Sequence, residues 1–117
     1  MKALTLATEL RREVHKRTYI GRLDIIEQTQ SLLKARLYLT PDLFIQVYQN
    51  DRFGTTNFAL IYNQQRVYAR DQLDGEWHRH NADTPDAHDT SHEGRRPVTL
   101  LEFLDEAETV ISALELL

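Results

Sequence analysis

The chain has 117 residues, of which 41% are hydrophobic and 27% charged, and its formal net charge is −4. This length fits a single domain, 1–117, that can bury a hydrophobic core without disulfides or a structural metal. The absence of cysteine excludes disulfides and thiolate metal sites and fits a reducing, cytoplasmic compartment. The apolar run at the N-terminus is too short for a secretory signal, and no stretch approaches the ~20 apolar residues that span a bilayer.

Charge is distributed unevenly along the chain. The segment 11–36 carries seven Lys or Arg residues and three acidic residues, whereas 99–117 carries five acidic residues and no basic one. A locally basic half can attract an anion although the whole molecule is acidic. Solvated faces of helices and strands show the same pattern, and the charges alone do not choose between these interpretations.

Two segments have the apolar spacing of amphipathic helices. The first is 3–16, which ends before the helix breaker Gly21. The second begins at a capping box formed by Thr99 and Glu102. Behind that box, seven apolar residues share one stripe: Leu100, Phe103, Leu104, Ala107, Val110, Ile111 and Leu114. The sequence therefore predicts one helix near each end of the chain.

Between the helices the apolar period changes to two, which is typical of strands. Strands are predicted at 23–28, 31–39, 43–49, 56–62 and 66–70. Because their connections are short, an antiparallel meander is favoured. The segment 81–97 is rich in Asp, Thr, Pro and His, has no apolar periodicity and is predicted to be a loop. The predicted fold is an α+β domain with about five strands and both helices packed on one face of the sheet.

The sheet face opposite the helices is predicted to carry aromatic and basic side chains. Its members would be Lys34, Arg36, Tyr38, Phe44, Gln46 and Tyr48, joined by Arg66, Tyr68 and Arg70 if the alternation keeps its register. Aromatic rings interleaved with arginines can stack unpaired bases beside a phosphate-binding field. Cross-strand pairing is the alternative use of such aromatic residues. The candidate RNA-binding residues are Arg36, Tyr38, Tyr48, Arg66, Tyr68 and Trp77.

Four of the five histidines lie between Tyr68 and His92, namely His78, His80, His88 and His92. If 76–80 is extended, His78 and His80 project from the same face. Imidazole titrates near neutral pH, so this pair could supply the base and the acid that cleave RNA through its own 2′-hydroxyl.

Neighbouring residues supply the remaining parts of such a site. Arg70 and Arg79 are candidate cations for the phosphate, since guanidinium binds phosphate through two parallel hydrogen bonds. Asp71 could orient a histidine, His88 adds a third imidazole, and Trp77 could stack on a base. Chemistry of this type needs no metal and no cofactor.

Two other interpretations of the histidines stay open. The His-x-His pair could bind a zinc-like ion together with His88 or His92, with Asp83, Asp86 or Asp89 nearby, although the spacing matches no standard signature. Alternatively, the segment is a polar surface loop of a non-catalytic binding or regulatory module. Fragments produced from total RNA would distinguish a nuclease from such a module.

The order of these segments resembles the TumE-type toxins of bacterial and archaeal toxin–antitoxin pairs. The resemblance covers about 31–110 and is most specific in one run: Tyr68, Asp71, Trp77, His78, His80, Pro85 and His88. The chain departs from the common pattern at Gln72, where members commonly have Asn, and at Asn81, where they often have Pro. The resemblance implies a small toxin that a cognate antitoxin protein neutralises, and it suggests RNA or translation as the target. The sequence does not specify whether the chain acts alone or as a homodimer.

Overall fold

The structure is a computed structural model that describes residues 2–117. It contains two helices and six strands in the order α1, β1 to β6, α2. Their bounds are α1 Lys2–Lys16, β1 Arg22–Gln28, β2 Leu32–Thr40, β3 Leu43–Asn50, β4 Thr55–Tyr62, β5 Gln65–Leu73, β6 Glu76–His80 and α2 Leu100–Ala113. No helix within these residues is long and apolar enough to cross a membrane.

The strands form one antiparallel meander in which each strand pairs with its neighbours in sequence. The predicted α+β fold is thus confirmed, with six strands rather than about five. The additional strand β6 follows the turn Asp74-Gly75, where both residues have positive φ, 52° and 81°. This conformation suits the two-residue turn that joins the strands of a hairpin, and Asp-Gly is one of its preferred sequences.

Both helices pack on the same face of the sheet, as predicted. The alternating residues of β2 and β3 that point towards them are fully buried: Leu33, Ala35, Leu37, Leu43, Ile45 and Val47. From α2, Phe103, Leu104 and Ala107 complete the core with no exposed surface. The capping box at the start of α2 is confirmed, because Thr99 Oγ1 accepts from the Glu102 amide (3.2 Å) and Glu102 Oε1 accepts from the Thr99 amide (2.9 Å).

A β-bulge in β5 changes which residues face the helices. Leu60 pairs with Tyr68 and Ile61 pairs with Arg66, so Val67 is an extra residue in its strand. One extra residue reverses the alternation of side chains beyond it. Arg66 therefore faces away from the helices, whereas Tyr68 and Arg70 face them. The prediction that Tyr68 and Arg70 share the face of Arg66 is wrong for this reason.

Trp77 also lies on the face that the helices cover. It pairs with Gln72 across the β5–β6 hairpin, and its ring centroid is 6.5 Å from that of the core residue Phe58. The indole is half-buried and packs against the hydrophobic core. The position of Trp77 therefore does not support its predicted role of stacking on a base beside the histidines.

The segment 81–97 forms no helix or strand of its own and wraps around the edge of β6. Arg79 and Asp89 exchange two backbone hydrogen bonds at that edge, 3.3 and 2.7 Å long. Beyond Asp89 the loop lies on the helix side, where the carbonyls of Glu93 and Gly94 accept from Arg70. The loop therefore joins the two sides of the sheet. The face that the helices leave uncovered is called the open face below.

Candidate active site

Four side chains meet at the β5–β6 end of the open face: Asp71, His78, His80 and His88. We call them the histidine cluster. Asp71 pairs with His78 across the hairpin, and His80 pairs with Ala69, so all three project from the open face. The loop adds His88, whose ring centroid is 5.1 Å from that of His78 and 4.6 Å from that of His80. Asp71 Oδ2 lies 3.5 Å from His80 Nε2.

Three buried polar atoms of this cluster have no hydrogen-bond partner among the described residues: Asp71 Oδ1, His78 Nδ1 and His80 Nε2. The side chains that carry two of them are well covered, since His80 is 1% exposed and Asp71 is 7% exposed. A buried polar group without a partner costs about 1–3 kcal/mol. Three such atoms in one place therefore mark the cluster as a candidate site for a ligand or a reaction.

The surroundings of His80 fix its tautomer. Its Nδ1 lies 2.9 Å from the carbonyl oxygen of Pro85, which can only accept, so Nδ1 carries the hydrogen. Burial lowers the pKa of His80 below its usual 6.5, and the charges of Arg66 and His88 act in the same direction. The Pro85 carbonyl and Asp71 oppose this shift. A neutral ring has its lone pair on Nε2, which faces the Asp71 carboxylate.

Arg66 is the arginine that the structure places beside the histidine cluster. Its Nη2 donates to the Pro85 carbonyl (3.1 Å), and its Nε is buried without a hydrogen-bond partner. The sequence had assigned the phosphate-binding role to Arg70 and Arg79 instead. Arg66 was predicted only as an RNA-binding residue, because sequence alternation cannot show which arginine approaches the loop.

Arg70 and Arg79 point to the helix side and are engaged in other contacts. The Arg70 side chain is fully buried, and it donates to Glu106 (2.9 and 3.1 Å) and to Glu93 (3.3 Å). Arg79 donates twice to Asp89 (2.9 and 2.6 Å). The prediction that these two arginines lie beside the histidines is therefore wrong, because Arg70 and Arg79 pair with each other and alternate along β5 and β6 with Asp71, His78 and His80.

Tyr68 takes part in the same polar contacts on the helix side. Its hydroxyl donates to Glu106 (2.5 Å), and its ring stacks on Phe103 with the centroids 5.9 Å apart. Burial and the adjacent Glu106 carboxylate raise the pKa of Tyr68 to about 12. The predicted role of Tyr68 as a base-stacking residue of the open face is therefore not supported by its position.

Asp89 holds the loop next to His88. Besides Arg79, it accepts hydrogen bonds from the side chain of Asn81 (2.9 Å) and from the amide of Ser91 (3.0 Å). These hydrogen bonds hold the pKa of the Asp89 carboxyl well below its usual range. Sequence reasoning considered Asp89 only as a metal ligand. Its spacing from Ser91 is typical of an Asx turn and could have indicated this structural role.

The other predicted metal ligands lie in the loop 81–97. Asp83, Asp86 and His92 are exposed. Within residues 2–117, no group of three or more His, Cys, Asp or Glu side chains is arranged to hold a metal ion.

The rest of the open face carries an aromatic–basic patch at the far end of the sheet, defined by Arg22, Arg36, Tyr38 and Phe44. The rings of Tyr38 and Phe44 are 5.0 Å apart. Arg22 lies over the Tyr38 ring at 4.3 Å, and Arg36 lies over the Phe44 ring at 4.8 Å. These cation–π contacts keep two guanidinium groups on the open face.

The strand register relates this patch to the histidine cluster. A single row of paired residues crosses the sheet from one to the other: Arg36, Gln46, Ala59, Ala69 and His80. Because neighbouring strands are ~4.8 Å apart, the four strand spacings in this row amount to about 19 Å. Tyr48 lies in the adjacent row, which ends at Asp71 and His78. Within the first row, Ala59 and Ala69 are buried, so these two residues offer no exposed surface between the patch and the cluster.

No protein-family model, curated protein or solved structure matches this chain. Function must therefore be inferred from the geometry and chemistry of the site itself.

Proposed function

We propose that this protein is the toxin of a toxin–antitoxin pair and that it cleaves RNA by metal-independent acid–base catalysis at the histidine cluster. The observation that carries the proposal is the meeting of three imidazoles and Asp71 in one place, with three buried polar atoms that lack partners. The toxin role, and neutralisation by an antitoxin, depend on the resemblance of the run from Tyr68 to His88 to TumE-type toxins.

Cleavage of this kind moves two protons. One imidazole takes the proton of the ribose 2′-hydroxyl, and the 2′-oxygen forms a bond to phosphorus. The bond from phosphorus to the 5′-oxygen then breaks, and a second imidazole gives a proton to that oxygen. The products are a 2′,3′-cyclic phosphate and a 5′-hydroxyl. Arg66 is the cation that would stabilise the charge on the phosphorane oxygens.

The open face offers a path for single-stranded RNA to this site. The aromatic–basic patch supplies rings for stacking and guanidinium groups for phosphates, and it lies on the same face of the sheet as the histidine cluster. Tyr48, Arg36 and Tyr38 keep their predicted RNA-binding role in this proposal.

Growth and RNA fragmentation test the proposal directly. Overexpression of the wild-type chain is expected to stop growth, and the purified protein is expected to cut total RNA into defined fragments with EDTA present. The variant His88→Ala is expected to lose about 10²–10⁴-fold in cleavage rate, as when a general acid or base is removed. His15→Ala, in an exposed residue of α1, is the matched control and should behave as the wild type. If the wild type cuts no RNA, or if a chain with His78, His80 and His88 all replaced by alanine stays fully toxic, the assignment of catalysis to the histidine cluster is wrong.

A metal-dependent activity is the second candidate; one pair of side chains favours it, although residues 2–117 contain no group of three ligands arranged for a metal ion. The 3.5 Å between Asp71 Oδ2 and His80 Nε2 is close to the ~3.4 Å that separates two ligands of a tetrahedral zinc ion with bonds of ~2.1 Å. The hydrogen bond from His80 Nδ1 to a carbonyl is also typical of ligating histidines. Loss of cleavage in EDTA, restored by zinc or manganese, would support this candidate and contradict the metal-independent mechanism.

A further inference from the structure

The imidazoles of the histidine cluster differ in their access to a substrate. His80 is 1% exposed, and its free nitrogen, Nε2, is buried. His88 is exposed, and His78 is half-buried with only its Nδ1 among the buried unpaired atoms. A general acid or base must come within hydrogen-bond distance of the reacting oxygen. His80 cannot do so in this arrangement, whereas His78 and His88 can.

We infer that His78 and His88 are the acid–base pair, and that His80 is a positioning residue that holds His88 in place through the loop. This inference rests on the proposed function and deepens it. It also differs from the prediction based on the His-x-His spacing, in which His78 and His80 are the base and the acid.

The contacts of the loop explain how His80 positions His88. Three residues before His88, the Pro85 carbonyl accepts from His80 Nδ1 (2.9 Å) and from Arg66 Nη2 (3.1 Å). One residue after His88, Asp89 is tied to β6 by Arg79. The loop is thus fixed on both sides of His88. The edge of one ring also meets the face of the other, since the planes of His80 and His88 are inclined at 86°.

Conservative replacement of His80 separates positioning from proton transfer. In His80→Asn, the amide nitrogen occupies the place of Nδ1 and can still donate to Pro85, but the side chain cannot take up or release a proton near neutral pH. His80→Gln lacks a donor at that place. We expect His80→Asn to keep the cleavage rate within about fivefold of the wild type. His80→Gln and His80→Ala should lose about tenfold to a hundredfold, a smaller loss than that of a general acid or base.

The dependence of kcat/KM on pH distinguishes a change in catalysis from a purely structural effect, which would leave the shape of this profile unchanged. The wild type and His80→Asn should both show a bell-shaped dependence of kcat/KM on pH, because the base and the acid are intact. His78→Ala and His88→Ala should each lose one limb of the bell. A uridine 3′-(4-nitrophenyl phosphate) substrate, whose leaving group needs no proton, should restore the rate of whichever of these two variants lacks the acid.

The outcomes distinguish the two proposals. Suppose that the wild type cuts RNA, that His80→Asn is as inactive as His80→Ala, and that circular dichroism shows both variants to be folded. The assignment of His80 as a positioning residue is then overturned, and the proposed function stands. The same holds if His88→Ala, altered at an exposed residue, cuts RNA at the wild-type rate while His80→Ala does not. If the wild type cuts no RNA under any condition, the proposed function fails, and the roles of the three histidines fail with it.

Discussion

His80 shows how a single residue can serve the fold and the site together. It lies on the open face yet is almost fully covered, because the loop carries Pro85 and His88 over it. The alternation of Trp-His-Arg-His predicted that His78 and His80 share a face. It could not predict that the loop covers one of them and leaves the other accessible, since a loop without periodicity gives no information about where it folds back.

Burial of His80 makes the stability of the fold depend on pH. The pKa of His80 is lowered in the folded chain from 6.5, chiefly by burial. Below that pH the unfolded chain binds a proton that the folded chain does not, so the free energy of unfolding falls as the pH drops towards the folded pKa. The loss should be smaller in His80→Asn, which lacks this buried titrating group.

Urea unfolding at about pH 7.5 and about pH 5.5 measures this difference, since ordinary histidines change charge in that interval. His15→Asn, at an exposed position of α1, is the control and should keep the pH dependence of the wild type. The carboxyl groups whose pKa values are lowered, Asp89, Glu93 and Glu102, act in a separate window, below their usual 3.8 to 4.5. Equal pH dependence in the wild type and His80→Asn would show that His80 is not buried as a neutral ring.

Among the elements, β5 and the loop account for most of the differences between sequence and structure. The segment Arg66-Val67-Tyr68-Ala69-Arg70 alternates without any visible interruption, so nothing in it indicates that Val67 is a bulge. Because of that single extra residue, Arg66 points to the open face, whereas Tyr68 and Arg70 point to the helices. By contrast, β6 could have been predicted with more certainty, because Asp74-Gly75 between two polar strands is a strong hairpin signal.

Glycine at position 94 is a structural requirement of the loop. A Cβ atom at Gly94 would lie 2.1 Å from the carbonyl oxygen of Asp89 and 2.8 Å from its Cγ. Gly94→Ala must therefore displace the segment that holds His88. We expect this variant to lose about 1–3 kcal/mol of stability, the usual cost of overpacking. Because His88 moves with Asp89, RNA cleavage should fall as well.

Gly21→Ala is the matched control for that change. A Cβ at Gly21 would lie 3.8 Å from the nearest atom, the Tyr38 carbonyl oxygen, which is an ordinary contact distance. Thermal or urea unfolding, combined with the cleavage rate on one RNA, compares the two variants. Wild-type cleavage by Gly94→Ala would mean that the position of the loop does not matter for activity.

For the whole molecule, the fold class was predictable because both helices and five of the six strands show a periodic pattern of apolar residues. The capping box at Thr99, the apolar stripe of α2 and the alternation of β2 and β3 all agree on one core. The candidate site was predictable only in part. Its residue types were clear from the sequence, but its geometry depends on the bulge at Val67 and on a loop that crosses from one side of the sheet to the other.

At the scale of the whole molecule, the open face should be the surface that RNA contacts, although the net charge is −4. Arg36 is held on this face by Phe44 and by Tyr38, to whose hydroxyl it donates (3.3 Å). Replacing it with glutamine keeps much of the side chain and removes the charge. Arg36→Gln should weaken binding of single-stranded RNA several-fold, because one phosphate contact is lost.

The salt dependence of RNA binding tests whether Arg36 contacts a phosphate. For a single strand, the slope of log K against log salt falls by about 0.7 for each phosphate contact removed. Arg36→Gln should reduce the slope by about this amount, measured by fluorescence anisotropy with the His88→Ala chain so that the RNA stays intact. Arg12→Gln changes an exposed arginine of α1, on the other side of the sheet, and should leave the slope unaltered. If Arg12→Gln lowers the slope and Arg36→Gln does not, RNA approaches from the helices, and the open face is not the surface that it contacts.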